Sequence, residues 1–113
     1  MTFRVIILPR AATDIEANAR WWAEHHDAEQ AARWFEAIYQ QIKTLSASPD
    51  SHSLSPENGE FPEELHDKRI GLGSRPSYRA IFTIKGDAVY VLAVRRAAQD
   101  AFRPGPPAPP GEV

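Results

Sequence analysis

The chain has 113 residues, 42% of them hydrophobic and 25% charged, with a net charge of −2. That is the size and balance of one soluble domain with a single core. Cysteine is absent, which excludes a disulfide framework, a thiolate nucleophile and a thiolate zinc site.

The chain opens on Phe3 to Leu8, a β-branched run that reads as a short strand. It is far too short to span a bilayer or to form the apolar part of a signal peptide, so a cytoplasmic protein is expected. Pro9 ends the strand and suits the first turn of a helix, expected from Pro9 to His25. Leu8, Ala12, Ile15, Ala19 and Trp22 recur at helical spacing and form its apolar stripe. Asp27, three residues before Gln30, resembles a capping box and opens a second helix. Its expected stripe is Ala28, Ala31, Phe35, Ile38, Ile42 and Leu45, and it should stop near Ser48-Pro49. So short a link makes the two helices an antiparallel hairpin.

Asp50 to Pro62 reads as a polar loop, and Glu64 to Leu72 as a strand carrying Leu65, Ile70 and Leu72. A β-hairpin follows over Ser77 to Arg96: Tyr78, Ala80, Phe82 and Ile84 alternate with Arg79, Ile81, Thr83 and Lys85. Gly86-Asp87 supplies its turn, and Ala88 to Val94 its second strand. A hairpin alone is not stable, so it needs a covering layer. The expected fold is α+β in the order β-α-α-β-β-β. The last three strands form an antiparallel meander, the first joins the same sheet, and the helical hairpin covers one face. The domain should span residues 1–100, with the proline-rich residues 101–113 as a solvated tail.

Charge is unevenly divided. Residues 1–66 hold five Lys/Arg against eleven Asp/Glu, whereas residues 67–113 hold eight against four. The basic part offers a surface for an anionic or acidic partner, though its surplus is modest beside that of strongly basic nucleic-acid-binding domains. Arg79, Arg95 and Arg96 are the candidate catalytic and target-binding residues, because guanidiniums on a sheet hold phosphate or carboxylate bidentately. Alternation allows only one of Arg95 and Arg96 to share the face of Arg79. Against this stands surface charge, or a salt bridge to the acidic half. Trp21 and Trp34 fall off the helix stripes and are candidate partner-binding aromatics, unless they pack on each other. Glu60, Glu63 and Glu64 form a loop cluster of the kind that is usually solvated. His25-His26 complements a helix end, but adjacent histidines do not face one another. With no Gly-rich phosphate loop, nucleophile elbow or zinc spacing, no cofactor and no metal are expected.

Several phrases then act together. They are Leu8-Pro9-Arg10-Ala11 with Asp14-Ile15, Ala31-Ala32 with Phe35, Ile38, Ile42, Leu45 and Pro49, Tyr78-Arg79-Ala80-Ile81-Phe82, Gly86-Asp87-Ala88-Val89 and Val91-Leu92-Ala93-Val94-Arg95. In this order and spacing the chain resembles the RelE/ParE family of bacterial type II toxins, the plasmid stabilisation proteins, over about Phe3 to Asp100. The resemblance implies a small toxin neutralised by a cognate antitoxin, with Trp21 and Trp34 as candidate antitoxin contacts. RelE-like members cleave mRNA on the ribosome with basic sheet residues and a C-terminal arginine and tyrosine. ParE-like members poison DNA gyrase. Arg79 matches the arginine of the family's Tyr-Arg motif, and Lys68 and Arg69 match its preceding basic strand loosely. Ala97 stands where the RelE-like arginine is expected, and no tyrosine follows Tyr90. Those departures favour a ParE-like gyrase poison. A ribosome-dependent mRNA endonuclease using Arg79 with Arg95 or Arg96, and a non-toxic interaction module, are the alternatives.

Overall fold

The computed structural model describes residues 2–74 and 76–97, so the proline-rich tail and the expected domain end at residue 100 lie outside the described residues. Its elements are β1 (Arg4–Ile7), α1 (Pro9–His25), α2 (Ala28–Lys43), β2 (His66–Ile70), β3 (Tyr78–Lys85) and β4 (Ala88–Arg96), the order expected. Pro9 opens α1 behind an extended Leu8. Asp27 caps α2 by accepting a 2.7 Å hydrogen bond from the Gln30 amide. The α-helix ends at Lys43, and one 3₁₀ turn, Thr44–Ser46, carries Leu45 into the core. Ser48 then takes a left-handed φ of 49° and turns the chain away just before Pro49.

The sheet has the strand order β1-β4-β3-β2. Strands β2, β3 and β4 form the expected antiparallel meander. Gly86 turns the β3–β4 hairpin at a φ of 60°, where glycine carries no Cβ penalty. Strand β1 joins in parallel, with Arg4 opposite Ala88 and Ile7 opposite Val91. Parallel neighbours need a long crossover, and here most of the chain provides it.

The main core lies between the helices and one sheet face. Ile15, Trp34, Ile38, Ile42 and Leu45 meet Ile70, Ala80, Phe82, Val89, Val91 and Val94 there. Each buried aliphatic side chain is worth about 1.5–3 kcal/mol relative to exposure. The α1 stripe centres on Ala11 and Ile15, with Leu8, Ala12, Ala19 and Trp22 half-buried beside them. The α2 stripe differs from expectation. Trp34 is 1% exposed and takes the place expected for Phe35, which is 38% exposed. Both positions fit a helical stripe through Ala31 and Ile38, so spacing alone does not choose. The ring of Tyr78, 5.0 Å from that of Trp34, fixes which one turns inward.

A smaller cluster of Leu65, Ile81 and Ala93 lies apart from the main core, with Phe61 and Leu92 packed on it. Ile81 and Ala93 alternate with the core-facing Ala80, Phe82 and Val94, so this cluster lies on the sheet's second face. The loop before β2 therefore wraps that face. It also covers the outer edge of β2: the Ser55 amide donates to the Leu65 carbonyl, and the Asp67 amide to the Ser53 carbonyl. Further along, the Gln41 side chain pairs with both backbone groups of Gly71. The β3–β4 hairpin lies inside the sheet, flanked by β2 and β1.

Candidate functional site

Strand register brings the expected arginines into one row. Arg69 lies opposite Arg79, and Arg79 opposite Arg95, so the three share the second face, while Lys68 lies opposite Ala80 on the core side. Arg96 points to the other face, as alternation requires.

Arg79 is not an exposed guanidinium. It is 4% exposed, with Nη2 at 2.5 Å from Glu57 Oε1 and Nη1 at 3.1 Å from Asp67 Oδ2. Burial works to lower its pKa, but the hydrogen bonds and charges of Glu57 and Asp67 outweigh that, and the value is raised. The expectation that Arg79 presents itself to a target is corrected: its strand packs it beneath the pre-β2 loop, and two carboxylates occupy it. Asp67 is the diagonal cross-strand neighbour of Arg79, which register alone can reveal. Glu57 carries no local signal in the sequence, because its approach to β3 depends on how the loop folds. The available signal was an arginine alternating with apolar residues in mid-strand, which demands a carboxylate partner.

Arg95 is one-quarter exposed and reaches past the end of β1 to α1, where its Nη1 lies 3.9 Å from Asp14 Oδ1. The second oxygen of Asp14 accepts the Val94 amide at 3.0 Å. One carboxylate thus satisfies both the β4 edge and its arginine. Arg10 joins this group: burial lowers its pKa first, the charge of Arg95 lowers it further, and Asp14 opposes them. Arg96 is exposed and lines a hollow of about 220 Å³ with Ala17, Asn18, Trp21 and Tyr78, where α1 meets the sheet. Arg69 is exposed and Lys68 half-buried.

The two tryptophans part company. Trp21 is 41% exposed, stacked on His25 with ring centroids 4.5 Å apart and edge-on to Trp22 at 5.5 Å. Trp34 packs on Tyr78 in the core at 1% exposure, so it is closed to a partner and is corrected from antitoxin contact to core residue. The aromatic surface at the helical-hairpin tip consists of Trp21, Trp22, His25 and His26. Among the described residues no group of three His, Asp or Glu side chains is placed to hold a metal. Nor is any described helix long and apolar enough to cross a membrane.

A cleft of about 470 Å³ opens on the second face, lined by Leu8, Phe61, Glu63, Thr83, Lys85, Tyr90 and Leu92. Glu63 lies 4.0 Å from Lys85 across it. Arg79, Lys85 and Arg95 on this face each lie beside a carboxylate of the chain itself.

A family model for the ParE toxin of the type II toxin–antitoxin system parDE matches residues 5–101. The chain belongs to the ParE toxin family. Among solved structures, one described as a chromosomal ParDE toxin–antitoxin system from P. aeruginosa is similar with a TM-score of 0.69 and 21% identity, covering 84% of this chain and 96% of that one. An archaeal RelE–RelB complex from Pyrococcus horikoshii is similar with a TM-score of 0.49 and 15% identity, over 88% of this chain and 100% of that one. No curated protein matches. The matched region includes Arg10, Arg69, Arg79, Arg95 and Arg96, and the P. aeruginosa structure shares the fold.

Proposed function

We propose that this ParE-family toxin acts in the cytoplasm by binding and poisoning DNA gyrase, and that a cognate antitoxin neutralises it. The observation that carries the choice is the enclosure of Arg79 by Glu57 and Asp67. Cleaving RNA needs a cation free to stabilise charge on the scissile phosphate and a base for the 2′-hydroxyl. At the position of the family's strand arginine, this chain commits the cation to its own carboxylates. Target contact then falls to Arg96, Arg95 and Arg69, at the edges of the sheet.

Two features support an antitoxin seat. The β4-facing hydrogen bonds of β1 come from Arg4 and Leu8, so by alternation Val5 and Ile7 direct their backbone groups outward, where an added strand can pair. The Trp21–Arg96 hollow lies between helix and sheet and suits an aromatic or acidic side chain from a helical segment. The experiment is induced expression with translation and DNA breakage read separately. Gyrase-dependent double-strand breaks with translation intact are expected. Ribosomal A-site mRNA cleavage by the wild-type protein, with the DNA left intact, would overturn the reading. Co-expression with the product of the adjacent reading frame should yield a complex on pull-down, and failure to do so removes the antitoxin assignment.

A further inference from the structure

The pre-β2 loop follows β3 in step. Glu57 pairs with Arg79, Phe61 packs on the cluster containing Ile81, and Glu63 faces Lys85. Arg79, Ile81, Thr83 and Lys85 are the alternate residues of one strand face, so an acid–aromatic–acid segment lies along a row that begins and ends with a base. The segment is fastened at its base. Glu57 N–H donates to Ser55 Oγ, and Leu65 N–H to Asn58 Oδ1. The row it covers continues across the sheet into Arg69 and Arg95, and further along the same face Tyr90, opposite Thr83, lines the cleft with Lys85.

We propose that residues 57–63 are an internal acidic mask that closes the sheet's second face to the phosphates of a single-stranded nucleic acid. A row of guanidiniums with an aromatic further along the same face is the chemistry that binds such strands, with cations tracking phosphates and a ring accepting a base. A covalently attached competitor acts at an effective concentration of millimolar or more, so weak external anions do not displace it. The raised pKa of Arg79 accords with its carboxylates already filling the place of a ligand. The inference does not rest on gyrase as the target.

The test uses the full chain, purified, with labelled oligo-uridine and oligo-thymidine as probes and fluorescence anisotropy as the readout. Glu57→Gln with Glu63→Gln keeps the shape of the segment and removes its charge. Its affinity should rise about tenfold or more, the scale of one or two charge-assisted hydrogen bonds. Its salt dependence should steepen by about 0.7 in slope for each phosphate gained. Adding Arg79→Gln should return binding to the wild-type level. Glu24→Gln with Glu29→Gln, exposed on the helices, makes the same change in net charge and should not raise affinity.

A gain for RNA alone or for both strands supports the proposal. No gain in the folded Glu57/Glu63 variant, or an equal gain in the helix variant, overturns it. If Glu57→Gln melts, Glu63→Gln alone must still raise affinity about threefold, since its pair with Lys85 is partly exposed and screened by solvent. An unchanged affinity there overturns it as well.

Discussion

Arg79→Ala is the most incisive perturbation of this fold. The Arg79 side chain is 5% exposed, and those of its partners Glu57 and Asp67 are 6% and 13% exposed. Truncating the arginine leaves two carboxylates facing one another with no cation between them. Removing one side of a buried ion pair costs about 3–5 kcal/mol, against a total of roughly 5–15 kcal/mol for an ordinary domain. At about 4–8 °C per kcal/mol for a domain of this size, Tm should fall by about 12–40 °C. Removing all three charges together, as Arg79→Met with Glu57→Met and Asp67→Leu, should recover most of the loss, because well-packed apolar replacements of a buried ion group are often nearly neutral. Urea titrations followed by circular dichroism give ΔG and m for both variants. If Arg79→Ala stays within about 1 kcal/mol of wild type at unchanged m, the enclosure is wrong and Arg79 returns to the exposed target-binding residues.

Three further outcomes are expected. Arg96→Glu should change stability by under about 0.5 kcal/mol while reducing growth inhibition. Arg95→Glu, which sets a carboxylate beside Asp14, should cost about 1–2 kcal/mol more, so melting curves beside toxicity assays separate the two arginines. Trp34→Ala should cost about 3–5 kcal/mol, whereas Trp21→Ala should stay within about 1 kcal/mol and weaken antitoxin capture on pull-down. His52 has a pKa below its usual 6.5, through burial first and then the charges of Lys68 and His66. The unfolded chain therefore binds that proton more readily, and stability should fall as pH drops below the ordinary histidine range. NMR titration should place the His52 midpoint below 6.5, and His52→Gln should flatten that part of the pH–stability curve.

The amino-acid order by itself determined the succession of elements, since each rests on local chemistry. Pro9 and Asp27 set the helix starts, the 3.6-residue period marks Ile15 and Ile38, and Gly86 turns the hairpin. Strand alternation also set Arg95 and Arg96 on opposite faces, but the β3–β4 register, with its shift at Ile81/Phe82, decided that Arg95 is the one sharing the face of Arg79. What only the tertiary structure decided depends on contacts between residues far apart in the chain. Trp34 won the core from Phe35 because Tyr78 waits on that side of α2. Arg95 turned to Asp14, 81 positions away, because β1 ends short of it and leaves the β4 edge to α1. Arg79 became internal because a polar loop folded back along β3 and brought Glu57 onto it. A local pattern fixes which way a side chain leaves the backbone. Whether that direction meets water or another segment is set by the packing of the whole chain, and at Arg79 this separates a binding residue from a buried ion pair.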